Sequence, residues 1–347
     1  MKQSWLVLRS SRLNISYRFD RRVPLVLATL MVIAVVAIAI DLSVGDYPIP
    51  LLDVLKTILG LETGNPDYAF ILNELRLPRA VIAFLVGMGL AISGTFLQGL
   101  TRNPLAAPEI IGFNAGASLA AVSLIVLLPN VPLFFLPLAA FSGAILVTIL
   151  IYLLAWTDGS SSLRLILIGI GITAFASAFT TLMVTFGEIN SVSQAMIWLV
   201  GSVYGRHWEH LKVFLPWLVV LIPVAWLNAR QLNVLNLGDD VAKSLGIKLD
   251  WQRGLLLLIS AALCGVSVAT AGTINFVGLM APHLGRQLVG PTHEGLLPTA
   301  ALMGGILVVV ADVLGRSLFG AIEIPCGVIT SVIGAPYFLY LLCGIRK

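Results

Sequence analysis

Apolar residues in this chain come in long unbroken blocks, not in the one-face or alternating patterns of soluble domains. Ten blocks lie near 23–43, 79–100, 110–128, 132–156, 163–186, 211–228, 254–272, 273–290, 296–315 and 325–343. Each approaches the roughly 20 helical residues that cross a hydrocarbon core roughly 30 Å thick. The pattern predicts an all-α polytopic membrane protein of about ten transmembrane helices. The eighth block is the most polar, interrupted by Asn275, Pro282, His283 and Arg286, which places it among other helices or along a water-filled path. One long polar island, Arg230 to Arg253, breaks the inner side. Within it Leu235–Gly246 reads as a two-turn helix with Asp239 and Asp240 at its start, Lys243 near its end and Gly246 as C-cap. So short a helix is marginal alone. Its apolar residues Val241, Ala242 and Leu245 need a surface, either the membrane domain itself or a partner docked beneath it, and the reading favours the partner.

Composition sharpens the class. The chain is 58% hydrophobic and 11% charged, against about 25% charged in soluble domains, with a mean hydropathy of +0.98. An even number of crossings puts both termini on one side. With the N-terminus inside, the outer segments hold only Lys56, Arg76, Arg79, Arg206, Lys212 and Arg316, and the other fifteen Lys and Arg fall inside. Both termini are therefore predicted to be cytoplasmic, and the pI of about 9.1 reflects this topology, not an affinity for nucleic acid. The organisation that follows is a basic cytoplasmic extension over 1–22 and a transmembrane domain over 23–347 with a cytoplasmic loop at 229–253. The run from Val23 to Ile40 exceeds the 7–15 residues of a signal-peptide core and is read as a retained first crossing. Cys264, Cys326 and Cys343 show no C-x-x-C spacing and read as small packing residues.

Between crossings, Pro50–Gly60 predicts a short amphipathic helix on the outer surface, and the outer segment 187–212 carries the interfacial aromatics Trp198, Tyr204 and Trp208. Small residues recur at packing intervals, among them Gly87, Ala91, Gly94, Gly112, Gly116 and Gly304, and predict close helix contacts.

Candidate chemistry sits at the ends of the crossings. Arg76-Leu77-Pro78-Arg79 and Arg316 put cations on the outer face against the inside bias; they either snorkel or dock an acidic extracytoplasmic partner. Two prolines in Gln98–Glu109 forbid a simple helical hairpin, which leaves a gate or a structural turn, and Asp158–Ser162 is a second small polar mouth. Lys243-Ser244 lacks the glycines of a phosphate-binding loop, with Ala242 and Leu237 in their places. His207, Glu209 and His210 do not follow H-E-x-x-H and read as an interfacial loop. Asp312 and Glu323 suggest either a proton relay or structural pairing, with Arg316 one helical turn after Asp312 the economical partner.

These residues, taken in order, resemble the membrane-spanning (FecCD-type) permease subunits of type II ABC importers for ferric siderophores, haem and cobalamin. The resemblance runs from about Leu51 to the C-terminus. It rests on Arg76-Leu77-Pro78-Arg79, Asn103-Pro104-Leu105-Ala106, Leu237-Gly238-Asp239-Asp240, Gly272–Leu279 with Pro282-His283, Ala311-Asp312 and Glu323–Gly327. It implies a ten-helix subunit in the cell inner (plasma) membrane, paired as a homo- or heterodimer with a second permease, with cytoplasmic ABC ATPase subunits beneath it. Arg76, Arg79 and Arg316 would dock the substrate-binding protein. Gly238, Asp239, Asp240, Ala242, Leu245 and Gly246 would couple to the ATPase. Asn103, Leu105, Ser161 and Ser162 would line the gate. The chain would be no enzyme and hold no cofactor, ATP and magnesium belonging to the ATPase, and its partners would include membrane lipid but no nucleic acid. A ferric siderophore is the expected cargo, with haem or cobalamin as alternatives. From another class, a proton-coupled secondary transporter using Asp312 or Glu323 is the competing reading.

Overall fold

The computed structural model describes residues 5–10, 15–45, 47–155, 162–318 and 323–344. In the N-terminal extension, strands β1 (Trp5–Ser10) and β2 (Ile15–Asp20) pair antiparallel, with Trp5 opposite Asp20. Everything after them is helical. α1 (Arg22–Ser43) is followed by the short surface helix α2 (Leu51–Ile58) that the amphipathic pattern predicts. α3 (Asp67–Phe70) then passes through a π-helical turn at Ile71–Arg76 into α4 (Leu77–Thr101). Next come α5 (Pro108–Ile111), α6 (Phe113–Leu127), α7 (Leu136–Ala155), α8 (Ser162–Phe186) and α9 (Ile189–Val200). The chain continues through α10 (Trp208–Leu227), α11 (Ala229–Asn236), α12 (Asp239–Ser244) and α13 (Leu249–Ala271). It ends with α14 (Val277–Val289), α15 (His293–Ser317) and α16 (Cys326–Gly344).

Among the described residues, eight helical runs are long and apolar enough to cross a membrane: α1, the run Asp67–Thr101, α7, α8, α10, α13, α15 and α16. The third and eighth expected crossings are built differently. α6 has 15 residues and α14 has 13, about 22 and 20 Å at 1.5 Å per residue, short of the roughly 30 Å core. Irregular backbone completes each of them. Residues 103–107 and α5 precede α6, and residues 272–276 join α13 to α14, with Phe276 at φ 67°. α9 was not anticipated. Its 12 residues are too few to span, and they lie in what reads in sequence as an interfacial segment.

α4, α13 and α15 form the centre: 78, 78 and 67% of their most apolar windows are buried, against 22, 17 and 22% for α1, α8 and α10. Small residues stand where these backbones meet. Gly87 of α4 faces Gly304 of α15, Gly94 faces Gly278 of α14, and Gly116 of α6 faces Gly143 of α7, each so close that a methyl group would overlap the opposing carbonyl. Such contacts hold helices together where lipid supplies no hydrophobic drive. Ser93 of α4 and Ser260 of α13 exchange hydroxyl-to-carbonyl bonds of 2.8 and 2.9 Å. Thr95, Thr148 and Ser267 return their hydroxyls to the carbonyl four residues earlier, so these buried polar atoms are satisfied.

The bundle has two charged ends. α1 starts and α16 finishes at the end that carries α12: Val23 packs on Val289 and Leu296, and Leu341 packs on Ala107 and Leu279. The opposite end gathers Arg76, Arg79 and Arg316.

Candidate functional site

At the arginine end, three helix termini converge. α1 ends in carbonyls that have no intrahelical donor, and arginines supply one. Arg76 donates to the carbonyls of Leu42 (2.7 Å) and Tyr47 (2.6 Å), and Arg316 to those of Asp41 (2.9 Å) and Val44 (3.1 Å). Arg316 also pairs with the Asp41 carboxylate, and its Nε lies 3.5 Å from Asp312, the one-turn partner the spacing predicts. Arg79 grips Asp312 with two parallel bonds, Nε to Oδ2 at 2.9 Å and Nη2 to Oδ1 at 3.0 Å, and reaches Glu323 Oε2 at 3.0 Å. Its guanidinium also sits 5.6 Å from the Tyr204 ring centroid. The side chains of Asp312 and Arg316 are 2% and 5% exposed, and Glu323, at 28%, is the member nearest solvent. The three arginines singled out in sequence are thus brought together, but they point inward onto acceptors of this chain.

At the other end, α11 and α12 form a shelf under α4 and α13. Gly238 and Gly246 bracket α12 with φ of 112° and 83°, a backbone that side chains rarely adopt. Ala242 is fully buried against the bundle. Asp240 is exposed, whereas the Asp239 carboxylate turns inward, paired with Arg102 and, at 2.8 Å, with Arg253 of α13. Burial alone would raise the Asp239 carboxyl, but the hydrogen bonds and charge of Arg102 and Arg253 outweigh it and hold it below the ordinary value. The outward side of the shelf is apolar, with Leu237 63%, Val241 43% and Leu245 61% exposed.

The proline segment starts at the α12 end and runs inward. Arg102 terminates α4 in the left-handed region (φ 50°). The Asn103 side chain accepts the Leu105 N–H at 2.9 Å, and Ala106 N–H reaches the Asn103 carbonyl at 3.1 Å. The turn itself is partly open, with Arg102 and Pro104 exposed and Asn103 and Leu105 half-buried, and only from Ala106 onward is the irregular backbone enclosed by protein, as such backbone within the membrane must be. Leu105 packs against the cluster formed by Ala107, Leu279 and Met280 of α14 and Leu341 of α16. Beyond it, Glu109 accepts the Phe276 N–H at 3.0 Å, and Asn114 donates to Asn275 at 3.0 Å, so α5 and α6 tie to the break between α13 and α14. Ser161 lies outside the described residues, and Ser162 opens α8.

Several smaller readings meet partners. His210 accepts the His207 N–H at 3.2 Å at the start of α10, and His283 bonds Gln287 at 3.0 Å beside Tyr337. Among the described residues no His, Cys, Asp or Glu group is arranged to hold a metal ion. Sequence reasoning passed over Asp41, Arg102, Arg253 and Gln98. Asp41 had a signal, as an acid closing an apolar run. Gln98 takes a bond from Arg286 and donates to the Leu279 carbonyl at 3.3 Å.

A helical membrane domain with broken spans, a charged brace at one end and an apolar shelf at the other defines a multi-pass transport permease. The FecCD transport family model matches residues 31–344, and the chain belongs to that family. It is 40% identical over 327 residues to the Fe(3+)-citrate import system permease protein YfmE of Bacillus subtilis, covering 94% of this chain and 96% of that one. It is 39% identical over 306 residues to the cobalamin import system permease protein BtuC of Halobacterium salinarum, covering 88% and 82%. A solved structure of a metal-chelate type ABC transporter in an inward-facing conformation superimposes with a TM-score of 0.80 at 32% identity, covering 92% of this chain and 99% of that one. The chain is a permease subunit of an ABC importer in the cell inner (plasma) membrane, working with an ABC ATPase and another permease subunit. It is a transporter subunit and not an enzyme, and ATP hydrolysis belongs to the separate ATPase. This sets aside the proton-coupled carrier, and the two acids that reading relied on, Asp312 and Glu323, are both held by Arg79.

Proposed function

We propose that this subunit carries a ferric siderophore inward, driven by an ATPase that grips the apolar side of α12. The observation that carries the coupling is the two-sidedness of that helix. Ala242 and Asp239 fasten it to the bundle, while Leu237, Val241 and Leu245 stand exposed on a segment too polar overall to enter lipid. Apolar side chains grouped in this way on a charged surface suit a protein partner. Gly238, Asp240 and Gly246 shape and rim the contact. ATP and its magnesium bind in the ATPase, and this chain takes no cofactor.

α6 and α14, completed by irregular backbone, bring the crossings to ten. With the start of α1 and the end of α16 at the α12 end, both termini face the cytoplasm, as the distribution of Lys and Arg supports. Residues 1–22 form the extension, 23–347 the permease domain and 229–253 its coupling loop. Asn103 and Leu105 serve as gate positions where the turn meets α14 and α16, and Ser161 and Ser162 contribute from the α7–α8 mouth. Lipid surrounds the exposed apolar faces of α1, α8 and α10.

The substrate-binding protein delivers its cargo to the arginine end. Because Arg76, Arg79 and Arg316 are engaged internally, docking there means that acidic side chains of that protein compete with Glu323, the least buried member, for Arg79. Iron is supported by the ferric-citrate relative, and cobalamin, carried by another relative at similar identity, is the alternative cargo. The test is deletion of the chain from its host, followed by energised uptake of radio-iron from a panel of ferric siderophores with labelled haem and cobalamin in parallel. Loss of one iron arm, restored by wild type but not by Val241→Asp with Leu245→Asp, is the expected result. Loss of the cobalamin or haem arm alone changes the cargo, and restoration by the double variant overturns the coupling assignment.

A further inference from the structure

We infer that Arg102 is a positioning residue that transmits movement of α12 to the gate turn, through the single Asp239 oxygen it shares with Arg253. This rests on the reading of α12 as the ATPase contact. Three observations meet in the contact. First, Arg102 precedes Asn103 directly and holds the end of α4 in a left-handed conformation, one that a non-glycine residue adopts only when its surroundings fix it. Second, its side chain leaves the gate turn altogether. Nε donates to the Leu235 carbonyl at the end of α11 (2.8 Å), and Nη2 pairs with Asp239 at the start of α12. Third, Asp239 Oδ1 also receives Arg253 at 2.8 Å, whose side chain is 7% exposed in the first turns of α13.

One carboxylate oxygen therefore ties together the gate turn, α12 and α13. The far side of the same turn is tied as well, by Glu109 to Phe276 where α13 gives way to α14. α4 and α13 are locked to each other by the Ser93 and Ser260 exchange, so a pull on Asp239 moves the start of the gate turn relative to packed helices and is not absorbed by slack between them. The pair is poorly placed to serve as a stabiliser. Arg102 and Asp239 side chains are 35% and 38% exposed, where an ion pair contributes little to folding. Its geometric content, a planar fork spanning two elements, is what lysine or a neutral residue cannot reproduce.

The test uses the chain reconstituted with its second permease subunit, ATPase and binding protein in liposomes, counting radio-iron imported as ferric siderophore per ATP hydrolysed. Arg102→Ala is expected to keep hydrolysing ATP while import per ATP falls roughly tenfold, the size of a coupling of about 1.4 kcal/mol. Asp239→Asn is expected to lower the same ratio, the double variant to be no worse than Asp239→Asn alone, and Asp239→Glu to keep most of the wild-type ratio. Wild-type import per ATP in Arg102→Ala overturns the inference. A second measurement on the chain alone, in lipid nanodiscs, separates this from failure of the coupling reading. Spin labels at Leu105→Cys and Lys243→Cys, with Cys343→Ser, are expected to give a narrow distance distribution that Arg102→Ala broadens. Import restored by Val241→Asp with Leu245→Asp refutes the coupling reading, and an unchanged distribution in Arg102→Ala overturns the positioning role on its own.

Discussion

Arg79 illustrates what a buried charge needs. Its guanidinium is neutralised by two carboxylates at 2.9–3.0 Å, and Asp312 in turn serves both Arg79 and Arg316. Removing one member leaves another uncompensated, so Asp312→Asn is expected to destabilise the chain by about 3–5 kcal/mol, read as a fall in thermal unfolding temperature in detergent. Glu323→Gln removes only the solvent-facing competitor. It is expected to tighten binding-protein docking, whereas Arg79→Glu weakens it; affinities that do not respond to either change across a salt series would refute docking at this cluster. Asp239 gives a pH prediction. Its carboxyl is lowered from 3.8 in the folded chain, so the bridged, ionised form is fully present above 3.8 and is lost as acid carries the pH down through the lowered value. Import per ATP is therefore expected to show no step from this group between about pH 5 and 8, checked by a pH series on the reconstituted assembly. In sequence the roles of these side chains were half visible. The Asp312 to Arg316 spacing is local and could be read. The Asp41 to Arg316 and Arg79 to Glu323 pairs join positions 275 and 244 residues apart, which no local pattern reports. Asp239 and Asp240 look alike in sequence, and only the arrival of Arg102 and Arg253 distinguishes them.

Helices were legible in proportion to their length. Eight long apolar runs appear where hydropathy places them, and α12 carries the start acids that its sequence announces, but it is confined to Asp239–Ser244, with Leu235 and Asn236 in α11 and Leu245, not Gly246, as the C-cap. α9 has no such signature, and α14 is shorter than the block over 273–290 that announces it, because the geometry of both is set by neighbours. α14 begins only where Asn114 and Glu109 take up the polar groups of the preceding break. The small-residue spacing on α4 was read correctly as a packing face, and it supplies a sharp test. Gly94→Ala places a methyl against the Gly278 carbonyl and is expected to cost about 1–3 kcal/mol by overpacking, seen as a lowered unfolding temperature. Gly60→Ala, where no heavy atom lies within 4 Å of the added carbon, serves as a surface comparison limited to its backbone strain at φ 70°.

For the whole molecule, the arrangement of ends gives a topology that chemistry can check. Cys343, exposed near the end of α16, and a cysteine placed at Lys243 of α12 are expected to react with an impermeant thiol reagent only from the cytoplasmic face of oriented vesicles. Labelling of either one from outside would invert the bundle. The glycine contacts between α4, α14 and α15 also bear on how this protein tolerates change. Positions 87, 94, 278 and 304 admit no side chain without parting the central helices, whereas α8 presents Leu167, Phe175 and Leu182 to its surroundings with more than half of each side chain free. A laboratory selection for variants that accept a bulkier cargo should therefore find its survivors on the peripheral helices, and libraries that randomise the central glycines would consist mostly of chains that never assemble.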